Sequence, residues 1–185
     1  MKRGQRFAML LLLDREMFRQ GSWCGETHLQ KGTFFLQEML KADSQYEFIL
    51  YKHGPFSFEL RDDLSGMQAD GLLDLVARHP GYGPSYLPTA DAEQFLERFP
   101  KTVERFTRPV KFVAEELGGK GVADLEPLAT ALFIRTRSGM TDVKDRVAEL
   151  IRLKPHISET VALAATTDVN RLVMAVEELG FAPQE

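Results

Sequence analysis

The side chains in this sequence that could do chemistry are few and scattered. Its four histidines are His28, His53, His79 and His156, and no two of them stand at the i, i+4 spacing that lets imidazoles on one helix face share a metal. Each has a local structural place: the first turn of a helix, a strand end, a turn, and the approach to a helix. Cys24 and His28 lie four residues apart and could form a thiolate–imidazolium couple, but no third group is placed to orient the imidazole. Asp62 and Asp63 are a carboxylate pair, yet adjacent helix residues diverge by about a hundred degrees and share a ligand poorly. The run Gly118-Gly119-Lys120-Gly121 lacks the spacing and the Ser or Thr of a phosphate loop. No catalytic residue, no metal site and no cofactor is predicted, and the chain reads as a non-enzyme.

Recognition chemistry is better represented. In the stretch His53-Gly54-Pro55-Phe56-Ser57-Phe58, two aromatic rings fall beside a turn, and Arg61 follows at helical distance. Exposed aromatics beside an arginine make a protein-binding hot spot, so His53, Phe56, Phe58 and Arg61 are the candidate partner-binding residues. A competing reading puts Arg61 and Gln68 on a DNA-reading helix, with Arg78 on the following hairpin. A basic patch at Arg135, Arg137, Lys144 and Arg146 would then add phosphate contacts. The helix that would enter the groove opposes this, because Glu59, Asp62, Asp63 and Asp70 accompany the single cation Arg61, the wrong sign for counterion release. The patch also suits a solvated helical surface, with cations near helix C-termini.

Composition sets the bounds. The chain has 185 residues, 44% of them apolar and 27% charged, as expected of a globular protein with its own core. A formal net charge of −4 removes the footprint of a dedicated nucleic-acid binder. The single Cys24 excludes an internal disulfide and, with no secretory signal, points to a reducing cytoplasm. The apolar run 8–13 is too short to span a bilayer, and Arg3, Arg6, Asp14 and Arg15 bracket it closely. No membrane partner is predicted.

The elements that must position these residues follow from pattern. Apolar periodicity predicts a first helix over Arg3–Arg19. Thr27-x-x-Gln30 reads as a capping box opening a second. Tyr46–His53 reads as a strand that Gly54-Pro55 breaks, and Ser57 as the cap of a third helix with Leu60, Leu64 and Met67 on its buried face. Residues 72–78 and Tyr86–Thr89 read as the strands of a hairpin. Beyond Thr89 the character is helical. Phe99, Val103, Phe106, Val110, Val113 and Leu117 form a short heptad seam that contains Pro109, which suits a kinked packing helix or a homodimer through residues 99–117. Further helices are expected near 125–137, 142–153 and 158–179, the last broken around Thr167. Asp124 and Thr141 are candidate caps, and Gly180 and Phe181 a Schellman close.

The expected fold class is therefore α+β, mostly α: a variant winged-helix half over 1–90 with an extra strand and a hairpin wing, then a helical half over 91–185 packed on it. Leu29–Lys31, His53–Ser57, Glu59-Leu60, Leu64, Gly71–Leu73 and a later Pro155–Ser158 resemble the YwgA-like bacterial proteins. More distantly, the first half is similar to the Panacea domain of antitoxins and proteolysis adaptors. The resemblance implies a fold and a protein partner from a bacterial defence, toxin–antitoxin or stress setting, and no catalytic residue. The resulting expectation is a non-catalytic adaptor or regulator, with a winged-helix DNA-binding regulator as the alternative.

Overall fold

The computed structural model describes residues 1–77 and 83–181. It is mostly helical with two small antiparallel hairpins, the α+β, mostly α class that the pattern predicts. Helix α1, Arg3–Arg19, has the predicted bounds and buries every residue from Phe7 to Leu13. Such burial on all sides needs neighbours all round, and α1 packs against α2 (Glu26–Glu38), α3 (Phe58–Ala69), α4 (Ala90–Glu97) and α5 (Pro100–Leu117). Gly32 on α2 allows close approach there: a Cβ at that position would lie 3.0 Å from the Leu13 side chain.

The heptad seam is consumed within the chain. Phe106, Val110, Val113 and Leu117 are buried, with α1 as the main neighbour of α5, and the helix continues through Pro109. Helix α6 (Val122–Arg137) packs on α2, while α7 (Val143–Leu153) and α8 (Glu159–Glu178) close over α6. One apolar cluster runs from Phe7 to Val176, so residues on both sides of position 90 share a core.

Several local expectations change in the structure. Gly25, not Thr27, is the N-cap of α2, because the Gln30 amide that would complete a Thr27 box is drawn to Ser57. Asp124 sits inside the first turn of α6, whose N-cap is Gly121, and Asp142 caps α7 in place of Thr141 by accepting from Lys144 N at 2.7 Å. Helix α8 is unbroken at Thr167; one residue earlier, Thr166 satisfies its hydroxyl by donating to the Ala162 carbonyl at 2.8 Å. The Schellman close holds, with Gly180 at φ +64°, its N–H bonded to Glu177 O and the Phe181 N–H to Val176 O.

The strands are shorter than their sequence signals. Strand β1 is only Ile49–Tyr51, and Gly54-Pro55 does not end the pairing but begins β2, Gly54–Phe56, in register Tyr51↔Gly54 and Ile49↔Phe56. Lys52 and His53 form the turn. Strands β3 (Leu73–Val76) and β4 (Ser85–Pro88) make the second hairpin, whose connecting residues 78–82, with Arg78, His79 and Tyr82, lie outside the described residues. No helix of the described residues is long and apolar enough to cross a membrane.

Candidate functional site: an aromatic surface on a clamped hairpin

An isolated two-stranded hairpin is marginal in water, so β1–β2 needs outside support. Helix α2 supplies much of it. The Gln30 side chain accepts from Ser57 N at 2.9 Å and donates to Ser57 O at 2.8 Å, taking both backbone groups of one residue at the junction of β2 and α3. One residue on, the Lys31 ammonium donates to the Pro55 carbonyl at 2.8 Å. From the far end of the chain, Lys154 donates to the carbonyls of Tyr51, at 2.8 Å, and Lys52.

Two buried lysines need a counter-charge, and Glu126 on α6 provides it. Its Oε1 lies 3.0 Å from Lys154 Nζ and 3.3 Å from His156 Nε2, while Oε2 lies 3.5 Å from His53 Nδ1. Burial pushes the Glu126 carboxyl up, but Lys154, His156 and His53 together outweigh it and hold the group below its usual range. Burial pushes the Lys31 amine down to about 8; Glu126 opposes that fall and Lys154 adds to it. His53, placed at a turn by sequence, thus has an acidic partner 73 positions further along the chain (126 − 53), and His156 shares it.

Gly54 permits the close fit. It stands at φ +84°, and a Cβ there would meet Thr130 Oγ1 at 3.2 Å and the Glu126 carbonyl at 3.4 Å. Gly54→Ala is expected to cost about 2 kcal/mol, from the left-handed backbone and the crowding together. A urea melt checks this; an unchanged midpoint would mean that the hairpin relaxes freely.

The outer face of this clamped hairpin is aromatic. Phe56 and Phe58 meet edge to face with ring centroids 5.2 Å apart, and Tyr51 sits 5.6 Å from Phe56 and 5.7 Å from Phe58. The Arg61 guanidinium lies 4.9 Å from the Phe58 centroid and 5.7 Å from that of Phe56. Neither phenylalanine is in the core: Phe58 is 42% exposed and Phe56 half-buried, while Tyr51 is 53% and neighbouring Ile49 42% exposed. The ring stacking preorganises Arg61, so less side-chain entropy is lost on contact.

Three of the four residues expected to bind a partner, Phe56, Phe58 and Arg61, therefore form one surface, and His53 lies at the turn beside it. Tyr51 and Glu126 were not singled out from sequence, and Lys31 entered only within the Leu29–Lys31 motif of the resemblance. Their signals were a tyrosine one strand position from the turn, a lysine inside the buried face of α2, and a glutamate within the apolar run of α6.

The residues of the nucleic-acid alternative are dispersed. Arg146 is 2% exposed and, with Arg135, donates to Asn170 Oδ1 at 3.1 and 2.8 Å. Arg137 pairs with Glu38 at 3.0 Å, Lys144 is exposed on α7, and Gln68 is half-buried on α3. The supposed acidic face of α3 is also smaller than its sequence suggests. Asp63 is buried and accepts from Arg6 Nε and the Tyr46 hydroxyl, each at 2.8 Å. Cys24 is buried with its thiol directed to the Asp14 carbonyl, and the His28 ring donates to the Lys120 backbone. Among the described residues no group of His, Cys, Asp and Glu is arranged to hold a metal ion. Compared with known proteins, the chain matches no family model and no curated protein.

Proposed function

We propose that this chain is a non-catalytic protein-interaction module, an adaptor or regulator, that docks a partner protein on Tyr51, Phe56, Phe58 and Arg61. The observation that carries the reading is the exposed three-ring cluster with an arginine stacked on two of its rings, held on a hairpin that buried side chains fix in place. Tyrosine, phenylalanine and arginine bury large areas at small entropic cost and are enriched at binding interfaces. A single cysteine buried in the core suits a reducing cytoplasm. The similarity of the first half to the Panacea domain supports a partner from a defence, toxin–antitoxin or stress locus. DNA binding has less support, since Arg135 and Arg146 are spent on Asn170 and Arg61 is stacked on rings.

The test is affinity capture from the native host, with and without nuclease, using wild type, Phe58→Ala and Arg61→Glu. Each substitution is expected to weaken the partner complex by roughly 2 kcal/mol, about thirtyfold, with the melting temperature unchanged because both side chains are exposed. A protein retained equally by both variants, or lost on nuclease treatment, would overturn the reading.

A further inference from the structure

A concave region that shares no residue with the hairpin lies between the loop after α2, one face of α5 and the chain that follows α8. It is a cleft of about 550 Å³. Lys41 enters its wall from the loop, and Lys101, Arg105 and Arg108 enter from α5, against a single carboxylate, Glu104. The three α5 cations stand at i, i+4 and i+7, so one helix face carries them. In a chain of net charge −4 this is a local excess of the opposite sign.

These cations are held in place without being neutralised. The Lys41 ammonium donates to the Glu38 carbonyl at 2.8 Å. The Arg105 guanidinium lies 5.2 Å from the Phe106 ring centroid. Arg108 donates to the Leu179 carbonyl at 2.6 Å and lies 4.6 Å from the Phe181 centroid. Among the described residues no carboxylate, Glu104 included, is within ion-pair distance of any of the four, whereas Arg6, Arg15, Arg152 and Arg171 are each paired. All four side chains in the cleft are exposed. Carbonyls and ring faces thus fix three of the heads and leave the charge free to meet a ligand.

The helix adds to the excess instead of offsetting it. Lys101 stands in the first turn of α5, where the macrodipole disfavours a cation; that turn holds no acidic residue, and the N-cap Phe99 supplies no side-chain acceptor. A monocarboxylate would leave most of this charge unmet. A phosphomonoester brings a charge of about −1.5 to −2 with three acceptor oxygens, and the arginine fork matches its geometry. Half-buried Pro109 and Phe181 give the same wall an apolar part against which an organic body can lie. A cavity of this size suits a small molecule better than a polymer. We propose that this cleft binds a small organic phosphate, with Lys101, Arg105 and Arg108 on the phosphate and Pro109 and Phe181 on the body. The cleft and the aromatic surface are independent, and neither needs the other to bind.

The experiment is calorimetric titration of the full chain with phenyl phosphate and, separately, with benzoate, duplex DNA and phosphatidic-acid vesicles. Phenyl phosphate is expected to bind at a single site, about tenfold or more tighter than benzoate, and to weaken as salt is added. Lys101→Glu places an acid where the helix favours one, so the fold survives and affinity falls by about tenfold or more. Arg105→Gln, at an exposed position, is expected to weaken binding in the same direction. Circular-dichroism melts verify that both variants fold. Lys144→Glu, an equal charge reversal on the exposed face of α7, leaves the affinity unchanged. The proposal is overturned if phenyl phosphate gives no heat at millimolar concentration, if benzoate binds as tightly, or if both folded cleft variants bind as wild type does. It is equally overturned if Lys144→Glu weakens binding as much, since net charge and not the cleft would then be read. Binding of the vesicles or the duplex without phenyl phosphate would overturn it too, by assigning the cations to a membrane or a nucleic acid.

Discussion

Glu126→Gln is expected to lower the stability of the chain by about 3 kcal/mol, with a drop in melting temperature of roughly 10 °C. Among the described residues the carboxylate is the one acidic group within ion-pair distance of Lys154, and it also draws on Lys31, His53 and His156. Glutamine keeps the volume and removes the charge, leaving the ammonium groups of Lys31 and Lys154 buried near each other with carbonyl dipoles and the more distant Glu26 to offset them. Breaking a buried charge cluster by removing one member costs more than the cluster gains over an apolar replacement. Chemical denaturation at neutral pH measures the loss, and a midpoint within experimental error of wild type would remove Glu126 from the account of how the hairpin is held. A double-mutant cycle adds a second arm: the penalty should shrink when Lys31 is already methionine, because one of the two stranded cations is gone.

Lys31→Met is expected to change the pH dependence of stability more than its value at any one pH. The Lys31 amine is held down at about 8 in the folded chain, against 10.5 when unfolded. Between those values the unfolded chain binds a proton that the folded chain has released, so this residue makes stability rise with pH across the window. Below about pH 8 both states carry the charge and the folded state bears the cost of burying it. The full difference is worth about 3 kcal/mol. Methionine fills similar space without a charge, so the variant should be more stable than wild type at pH 7 by about 1–2 kcal/mol. The gap should close at about pH 9 and reverse above it, because wild type gains there and the variant does not. Urea melts across pH 7 to 10 read this directly; a gap that stays constant would show that Lys31 keeps its charge throughout.

How much of this was legible in the sequence depends on the distance over which each signal acts. The first helix, the Ser57 cap and the Gly180–Phe181 close are local devices, in which the residues that signal the feature also make it. The Thr27 capping box failed for the opposite reason. Gln30 could reach a neighbour three residues back or a backbone 27 residues ahead, and the distant one offered both a donor and an acceptor. Phe56, Phe58 and Arg61 were legible as a group because the turn and one helical turn bring them together. The charge cluster beneath them was not. Lys31, His53, Glu126, Lys154 and His156 come from four separate stretches, and only the packing of α6 against α2 and β2 assembles them. A lysine and a glutamate inside apolar helix faces were the available hint, and each is intelligible only with its partner in view.

Gln30 treats Ser57 as a neighbouring strand would, and with Lys31 and Lys154 it gives an eight-residue hairpin the connections that a larger sheet would otherwise supply. The aromatic surface therefore has no life of its own. Residues from three core helices and the chain that follows α7 must all be in place before Tyr51, Phe56 and Phe58 stand together, so a nascent or partly unfolded chain would display the same letters without the shape. Whatever recognises that surface would be reading, in one contact, a certificate that the whole chain has finished folding.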